Sequence, residues 1–368
     1  MCVSKSLSNE YYIYSGSEII LLNVLDSEQT VDHLFFTYTV KVFEVIEKSL
    51  EVGGFVFYLT DNIHELPSYG QNVVAVVVGD ELCRIPSYFH KVRAVFKTYG
   101  TRPILGCNPL LKPSYLNFLN LIKFLRNWLI CLPGMLNYVF HKFKSLQPGT
   151  ANIPPIYTFP LGYGNQLDLP IKDIESRPYD IYFAGSVDWK PLPVWSLRSL
   201  FQSPKSLARK KMISSINTLK EKHPDLEVEL LLTEGFGHGH KGSVDARTYS
   251  EKIMDTKICL VPRGSALETW RFCEGLRAGC IVVREALPSR WFYDGSPTIE
   301  ITDWNDLDGI VERLSKSKHL RQEKHQESLN WWKSKCSEAV VAAYMVEKLA
   351  ISSQKLASRS LPELNATP

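Results

Sequence analysis

The chain has 368 residues, of which 45% are hydrophobic and 22% are charged, and its formal net charge is +3. These values are typical of a soluble globular protein and exclude collagen-like, low-complexity and disulfide-rich secreted chains. The length predicts one large domain or two ordinary ones, and the small net charge argues against a nucleic-acid partner.

Strand-like and helical segments alternate along the first half of the chain. Apolar runs predict strands at 17–24, 54–60, 72–78 and 157–161, and helices are expected at 31–49, 86–96 and 115–144. The run NVVAVVV at 72–78 is typical of a strand that is buried on both faces of a parallel sheet. Segment 115–144 is long and apolar, and its Pro133-Gly134 pair predicts a break in the helix.

Charge is unevenly distributed in this half. No Asp or Glu occurs between Leu82 and Leu167, whereas the same stretch holds ten Lys and Arg residues. Three explanations of this excess of positive charge are open. It binds an acidic ligand, it contacts anionic lipid head groups, or acidic residues elsewhere in the chain compensate for it. The apolar segment 115–144, with its basic rim, either packs between other elements or lies on a membrane surface. Peripheral contact with an anionic membrane through 82–167 is therefore one expectation.

The second half alternates more regularly. Strands are predicted at 180–184, 227–233, 257–261, 280–283 and 298–301, and helices at 206–222, 245–255, 266–278, 304–315 and 319–349. This alternation predicts a doubly wound parallel sheet. The polar stretch 164–178 is typical of a linker. We therefore expect an N-terminal domain at 1–165, a C-terminal domain at 178–345 and a flexible tail at 351–368.

The eight cysteines are scattered and none forms a CxxC pair, which argues against zinc-ribbon and thioredoxin-like sites. Cys259 and Cys280 lie inside apolar strand-like runs and are predicted to be buried thiols, which suits a reducing compartment. Residues 1–10 lack the apolar core of a signal peptide. We therefore expect a cytoplasmic location. The protein would be membrane-peripheral if segment 82–167 contacts an anionic membrane.

The densest chemical signal is the segment 257–283, KICLVPRGSALETWRFCEGLRAGCIVV. Its apolar strand is followed by the short loop Arg263-Gly264. Ser265, with Glu268 three residues later, predicts a capping box and the start of a helix. A helix N-terminus that follows a parallel strand is suited to a phosphate, and the Arg263 guanidinium stands beside it.

On the same predicted helix, Arg271 and Glu274 lie one turn apart and share a face. Two interpretations are open. The pair either binds the diphosphate and the ribose of one nucleotide, or it is only a surface ion pair.

The loop GHGHKG at 237–242 formally matches the GxGxxG pattern of dinucleotide sites. A single match is weak, and the usual acidic residue after the next strand is absent. We expect instead a flexible loop at the edge of a cleft, where His238 or His240 contacts an acceptor or a phosphate. A metal site at these histidines is disfavoured because no third ligand is evident.

The segment 257–283 resembles the signature of the exostosin-like glycosyltransferases. The matching residues are Cys259, Leu260, Pro262, Gly264, Arg271, Glu274, Gly279, Cys280 and Ile281. Val282 departs from the pattern, which usually has Pro at this position. A weaker similarity extends from 157 to 314 and includes Tyr249 and the runs FPLG at 159–162 and FAGS at 183–186. The first 150 residues match only loosely.

The resemblance implies a GT-B-like α/β fold, in which two Rossmann-like domains face each other across a cleft. It implies that a nucleotide sugar, expected to be a UDP-sugar, binds the C-terminal domain and that the acceptor binds the N-terminal domain. It also implies transfer without a metal ion or other cofactor, usually with inversion at the anomeric carbon. By the same analogy, Arg271 meets the diphosphate and Glu274 meets the ribose.

Inversion needs a general base for the acceptor hydroxyl, which in this architecture comes from the N-terminal domain. Asp80 and Glu81 follow a buried strand, so one of them is predicted to be this base. The alternative is a structural carboxylate that pairs with Arg84. Without a metal ion, positive side chains must stabilise the leaving diphosphate. The remaining donor-site residues are predicted to be Arg263, Gly264, Ser265 and Lys190.

The sequence therefore predicts a glycosyltransferase that moves a sugar from a nucleotide donor to a hydroxyl of a glycan or lipid-linked acceptor. One alternative is a non-catalytic relative that binds a sugar or a partner enzyme. Another, with less support, is an NAD(P)-dependent enzyme that uses the loop at 237–242.

Overall fold

The computed structural model describes residues 8–26, 36–50, 53–106, 109–147, 153–164, 166–187, 203–233 and 245–357, with side chains to residue 350. These residues form two α/β units, each built on a mainly parallel sheet, with a cavity lined from both. The predicted GT-B-like class, with two Rossmann-like domains across a cleft, is confirmed.

The first sheet has six strands in the order β2-β1-β3-β4-β5-β6. The strands are β1 Glu10–Ser15, β2 Glu18–Leu21, β3 Val56–Thr60, β4 Gly70–Val77, β5 Val92–Lys97 and β6 Ile156–Thr158. Strand β2 pairs antiparallel with β1 at the edge, and the other pairs are parallel. Helix α1 (Thr37–Ser49) precedes β3, and helix α2 (Tyr115–Lys144) lies between β5 and β6.

The helix predicted at 86–96 is wrong, because most of β5 occupies this range. All six residues of β5 are buried, and the four-residue spacing of Arg93 and Lys97 imitates the polar period of a helix. Both cations find partners inside the fold. Arg93 donates to the carbonyl of Leu349 at 3.4 Å, and Lys97 lies 3.0 Å from a carboxylate oxygen of Asp80.

Helix α2 also differs from its prediction, because it continues through Pro133. Contacts on both sides of the proline hold it in place. The thiol of Cys131 donates to the carbonyl of Leu82 at 3.0 Å, and a Cβ atom built at Gly134 would lie 3.5 Å from Ile85. Among the described helices, none has an apolar stretch long enough to cross a membrane.

The second sheet has five parallel strands in the order β11-β10-β9-β7-β8. The strands are β7 Tyr179–Ser186, β8 Val228–Thr233, β9 Thr256–Val261, β10 Ile281–Arg284 and β11 Ile299–Glu300. The helices are α3 Pro204–Lys222, α4 Ala246–Met254, α5 Trp270–Arg277, α6 Leu307–Lys316, α7 Lys318–Trp331 and α8 Glu338–Ala357. Strand β7 lies between β8 and β9. The chain passes from β7 to β8 on one side and then crosses to β9 on the other side of β7. This reversal is the topological switch point of a doubly wound sheet.

The single helix predicted at 319–349 is two helices, α7 and α8, with the π-helical turn Trp332–Cys336 between them. Helix α8 packs against α1 on the first sheet, where Val341 and Met345 are fully buried in its core. Residues 338–345, which the sequence assigned to the C-terminal domain, therefore belong to the core of the first sheet.

Among the described residues of the stretch predicted as a linker, 164–178, the side chains of Gln166, Ile174 and Arg177 are buried against the second domain. Arg177 is 1% exposed and donates to the carbonyls of Thr256 and Ala278, at 2.8 and 2.7 Å. Charged groups with such carbonyl partners can be buried, and a polar composition alone does not reveal this.

The predicted burial of the Cys259 and Cys280 thiols is confirmed, since both cysteines are 0% exposed and unbridged.

Gly162 allows a close contact that ties the two domains together. Its φ is +67°, and a Cβ atom built there would overlap the ring of Tyr38 at the start of α1. The Tyr38 hydroxyl donates to the carbonyl of Cys336 at 2.6 Å. The buried ring thus joins α1, the turn at Gly162 and the passage from α7 to α8.

We expect Gly162→Ala to lower the free energy of unfolding by about 2 to 4 kcal/mol, because the new methyl overpacks against a fixed ring and φ is strained. Urea denaturation measures this. Gly16→Ala is the matched control, since Gly16 has φ +62° with nothing within 4 Å of its Cβ position. It should cost only about 1 kcal/mol. Equal losses in the two variants would contradict the role given to Tyr38.

Candidate functional site

The carboxyl ends of β7 and β9 meet at the switch point of the second sheet. Strand β7 ends in Gly185-Ser186, and β9 leads directly into Pro262-Arg263. Strand β7 is the point where the strand order reverses, and such a switch point forms a crevice at the carboxyl ends of the strands. Ligands of doubly wound sheets bind in such crevices.

Two guanidinium groups share this crevice. The guanidinium of Arg271 lies 4.9 Å from the centre of the Phe183 ring, and that of Arg209 lies 5.5 Å from the same ring. A Cβ atom built at Gly185 would overlap Nη2 of Arg271 and would lie 3.3 Å from Nη1 of Arg209. A glycine at the end of β7 therefore leaves room for both cations.

Arg209 is a site residue that the sequence analysis missed. It projects from α3, where the run SLARKK is indistinguishable from a solvated basic face. In the structure it is 4% exposed, and it donates to the carbonyls of Ser186 at 2.5 Å and Arg263 at 3.1 Å. Burial, followed by repulsion from Arg271, lowers the pKa of Arg209 well below its usual range.

Helix α5 begins later than predicted, and the capping box is wrong. The helix starts at Trp270, with Thr269 at the N-cap position and no side-chain cap bond. Glu268, which was expected to face Ser265, instead lies 2.8 Å from Arg290, and both side chains are nearly inaccessible. A buried carboxylate needs a buried cation, and this requirement outweighs the local capping preference.

Polar atoms at the start of α5 lack partners. Nε of Arg271 and Oγ1 of Thr269 are buried and make no hydrogen bond with the described part of the chain. Buried polar atoms are hydrogen-bonded in most native proteins, so orphaned atoms at a sheet edge are a sign of a missing ligand.

Glu274 does not pair with Arg271, so the surface ion-pair interpretation is wrong. One carboxylate oxygen of Glu274 accepts from the hydroxyl of Tyr249 at 2.6 Å, and the other accepts from the backbone N–H of Gly164 at 3.2 Å. The residue is 3% exposed. The ribose role stays a prediction, and these bonds fix the carboxylate beneath the crevice.

The loop Arg263-Gly264-Ser265 touches α2 of the first domain. The guanidinium of Arg263 donates to Oδ1 of Asn120, and Nζ of Lys123 donates to the carbonyl of Ser265. A Cβ atom built at Gly264 would lie 3.2 Å from Cγ2 of Thr269. The loop 263–265 therefore lies at the boundary between the two domains, and its role in binding the donor stays a prediction.

A cavity with an empty volume of about 470 Å³ lies at this boundary. We call it the cleft cavity. Its lining includes Glu81, Ile104, Lys123 and Phe124 from the first domain and Arg263, Ser265 and Leu267 from the second.

Lys123 is a second residue that the sequence did not single out. Its side chain lines the cleft cavity, and burial, together with the nearby Arg263, lowers the pKa of Lys123 to about 8. The sequence showed it only as a polar interruption of an apolar helix. Its charge is therefore sensitive to pH just above neutrality.

Asp80 is a structural carboxylate and is not placed to act as the predicted base. It is 5% exposed, and its oxygens lie 3.0 Å from Nζ of Lys97 and 2.9 Å from Nε of Arg84. Burial raises the pKa of Asp80, but the attraction of Lys97 and Arg84 outweighs it, so the net shift is downward. A carboxylate with two cationic partners and no access to solvent is a poor proton acceptor.

Glu81 is the member of this pair that faces the cleft cavity. Its negative charge acts to raise the pKa of Lys123 and of Arg209, against the effect of burial. Its role as base stays a prediction.

Three predicted contacts, Lys190, His238 and His240, lie outside the described residues. Within the described ranges, no group of three or more His, Cys, Asp or Glu side chains is arranged to hold a metal ion.

The chain is similar in sequence to known proteins over a part of its length. No protein-family model matches the chain. The Caenorhabditis elegans Exostosin-1 homolog is 41% identical over 67 residues, which are 18% of this chain and 16% of that protein. Danio rerio Exostosin-1b is 34% identical over 100 residues, which are 24% of this chain and 13% of that protein. The chain thus matches less than a fifth of the length of either relative.

Solved structures show a distant likeness. Sucrose-phosphate synthase from Thermosynechococcus elongatus is 10% identical with a TM-score of 0.42, covering 88% of this chain and 79% of that one. The DNA-modifying enzyme beta-glucosyltransferase is 12% identical with a TM-score of 0.41, covering 94% and 99%. The resemblance predicted from the motif is confirmed by the curated relatives, and the chain is similar to the exostosins over a short part of their length.

Proposed function

We propose that the protein is a glycosyltransferase that takes a sugar from a nucleoside diphosphate donor, a UDP-sugar, and transfers it to a hydroxyl of a glycan or lipid-linked acceptor. The observation that carries the proposal is the pair of guanidinium groups, Arg209 and Arg271, at the switch point of the second sheet. The local sequence similarity to exostosins supports the glycosyltransferase class.

An anion is the ligand that this crevice favours. Two like charges close to one glycine position repel each other, and their partial burial strengthens the repulsion. The carboxyl of Glu285 attracts Arg209, but it offsets the repulsion weakly, because burial raises the pKa of Glu285. A diphosphate would neutralise both guanidinium groups and would accept from the orphaned Nε of Arg271 and Oγ1 of Thr269.

The same groups suit the departure of the nucleotide. When the bond between the anomeric carbon and the diphosphate breaks, negative charge develops on the phosphate oxygen. In the proposed site, Arg271 and the N-terminus of α5 would stabilise this charge without a metal ion. Glu274 has further lone pairs for the ribose hydroxyls while it keeps its bonds to Tyr249 and Gly164.

The acceptor enters from the cleft cavity in this scheme. Glu81 takes the proton of the acceptor hydroxyl, and the oxygen attacks the anomeric carbon on the face opposite the diphosphate. The new glycosidic bond forms as the nucleotide leaves, so the anomeric configuration inverts. Asp80 takes no part, because Lys97 and Arg84 already hold it.

A panel of nucleotide sugars tests the proposal. Calorimetry with UDP, and with uridine, guanosine and cytidine diphosphate sugars, measures binding, and released nucleoside diphosphate measures turnover. We expect one sugar donor to bind and to be turned over slowly by water, and faster with a glycan acceptor. Binding without turnover would favour a non-catalytic relative, whereas no binding of any diphosphate would overturn the proposal.

UDP affinity should depend on pH through Lys123. Because the pKa of Lys123 is about 8, its charge is present below that pH and lost above it. We expect UDP affinity to fall roughly tenfold between pH 7 and pH 9. In Lys123→Arg the guanidinium stays charged over this range, so the fall should disappear. The same fall in Lys123→Arg would assign the pH dependence to another group.

A further inference from the structure

Helix α2 carries an apolar face that no described element covers. Six of its residues are between 42% and 63% exposed, and we call them the apolar stripe: Phe118, Ile122, Leu125, Leu129, Leu136 and Phe140. At 100° per residue these positions fall within an arc of about 60°, over about 33 Å of helix. Scattered apolar residues are normal on a surface, but a continuous stripe marks a contact site.

The stripe does not belong to the core. The opposite side of α2 supplies the packing contacts, through buried Leu119, Asn127 and Cys131, and the cleft contact of Lys123. A helix whose exposed face is apolar over this length needs a partner on that face.

Charge identifies the kind of partner. No acidic residue occurs between Leu82 and Leu167, and Arg126, Lys142 and Lys144 of α2 are exposed. Compensation inside the fold, one of the explanations raised by the sequence, accounts for Arg84 and Lys97, which both pair with Asp80. Arg126 and Lys142 form no ion pair with any described residue.

We propose that the apolar stripe and its basic rim form a docking surface for an anionic phospholipid bilayer, with α2 lying in the plane of the interface. Large apolar side chains beside Lys and Arg suit the acyl boundary and the head groups, respectively. A second copy of the chain fits less well, because it would bring an equally basic, acid-free face against the first. The inference stands without the proposed function, although Lys123 of the same helix faces the cleft cavity.

Vesicle sedimentation of the full chain tests the proposal. We expect binding to vesicles that contain about one third phosphatidylserine in phosphatidylcholine, little binding to phosphatidylcholine alone, and release by high salt. The variant Phe118→Gln/Leu129→Gln/Phe140→Gln should lower the partition coefficient at least about tenfold. Arg126→Glu/Lys142→Glu should weaken binding to the anionic vesicles by about tenfold and leave the weak binding to neutral vesicles unchanged.

Matched controls come from the second domain. Ile171→Gln/Leu232→Gln alters residues that are each 46% exposed, and Lys220→Glu/Arg313→Glu reverses two exposed charges. Both should bind vesicles like the unmodified chain. All variants change exposed side chains, so their melting temperatures should match that of the parent.

A second measurement locates the helix. Trp128 is 40% exposed on α2, so brominated lipids should quench part of the tryptophan fluorescence, and less of it in Trp128→Phe. Equal sedimentation with neutral and anionic vesicles, or unchanged binding by the apolar variant, would overturn the proposal. The proposal would also be overturned if the unmodified chain bound no vesicles and formed a dimer that the apolar variant abolished.

Discussion

Replacing Arg271 by Ala should lower the affinity for UDP by about 10 to 100-fold and kcat for the donor found in the panel by about 100 to 1,000-fold. The guanidinium has no carboxylate partner among the described residues and keeps a buried Nε without a hydrogen-bond acceptor. Its removal therefore takes away charge from the crevice without breaking an ion pair. Because it also relieves repulsion with Arg209, the melting temperature should stay the same or rise.

Two further variants sharpen this test. Arg271→Lys keeps the charge but loses the planar set of donors, so it should recover only part of the activity. Arg313→Ala removes an exposed arginine from α6 and should change nothing. If Arg271→Ala and Arg313→Ala turn over the donor equally well, the crevice is not the donor site.

Asp80→Asn should instead act on stability, with an expected loss of about 3 to 5 kcal/mol in the free energy of unfolding. The substitution leaves the ammonium of Lys97, which is 0% exposed, without its carboxylate. Urea denaturation measures the loss. The control Glu312→Gln breaks an exposed pair with Lys316 and should cost no more than about 0.5 kcal/mol.

A double variant separates a structural from a catalytic Asp80. Asp80→Asn/Lys97→Met removes both charges and should regain much of the lost stability, because no buried charge is left unpaired. If Asp80 were the base, Asp80→Asn would abolish transfer while the stability stayed unchanged, and the double variant would regain nothing.

The pH dependence of this loss has a defined sign. The folded-state pKa of Asp80 lies below its ordinary value of about 4, so its contribution is present above that pH. It disappears as the pH falls through the lower, folded-state pKa. The stability difference between the parent and Asp80→Asn should therefore be constant near neutrality and should shrink below about pH 4.

Predictions from the sequence were correct where the local pattern and the tertiary packing favour the same structure. The run NVVAVVV predicts a buried strand, and β4 is buried from Val73 to Val77. The segment 257–264 was likewise predicted from its local pattern, as a strand followed by a loop at the edge of the sheet. Its strand length and the glycine of the loop are local properties that packing leaves unchanged.

Predictions failed where a distant partner reverses a local preference. The helix predicted at 86–96 is largely strand β5, because the carbonyl of Leu349 and the carboxylate of Asp80 make the burial of Arg93 and Lys97 possible. Glu268 pairs with Arg290, more than twenty residues later in the chain, so it does not form the predicted capping box with Ser265. In both cases the energy of pairing a buried charge exceeds that of a local hydrogen bond.

By itself, the sequence determined the α/β class, the order of most strands and helices, and the loop that carries Arg263, because these depend on hydrophobic period and on neighbouring residues. Only the tertiary structure decided that Arg209 joins Arg271 at Gly185 and that Glu274 bonds to Tyr249 instead of Arg271. It also decided that Asp80 is a buried partner of Lys97. Charges and hydrogen bonds act through space, and which groups come within a few ångströms of each other is set by the packing of the whole chain.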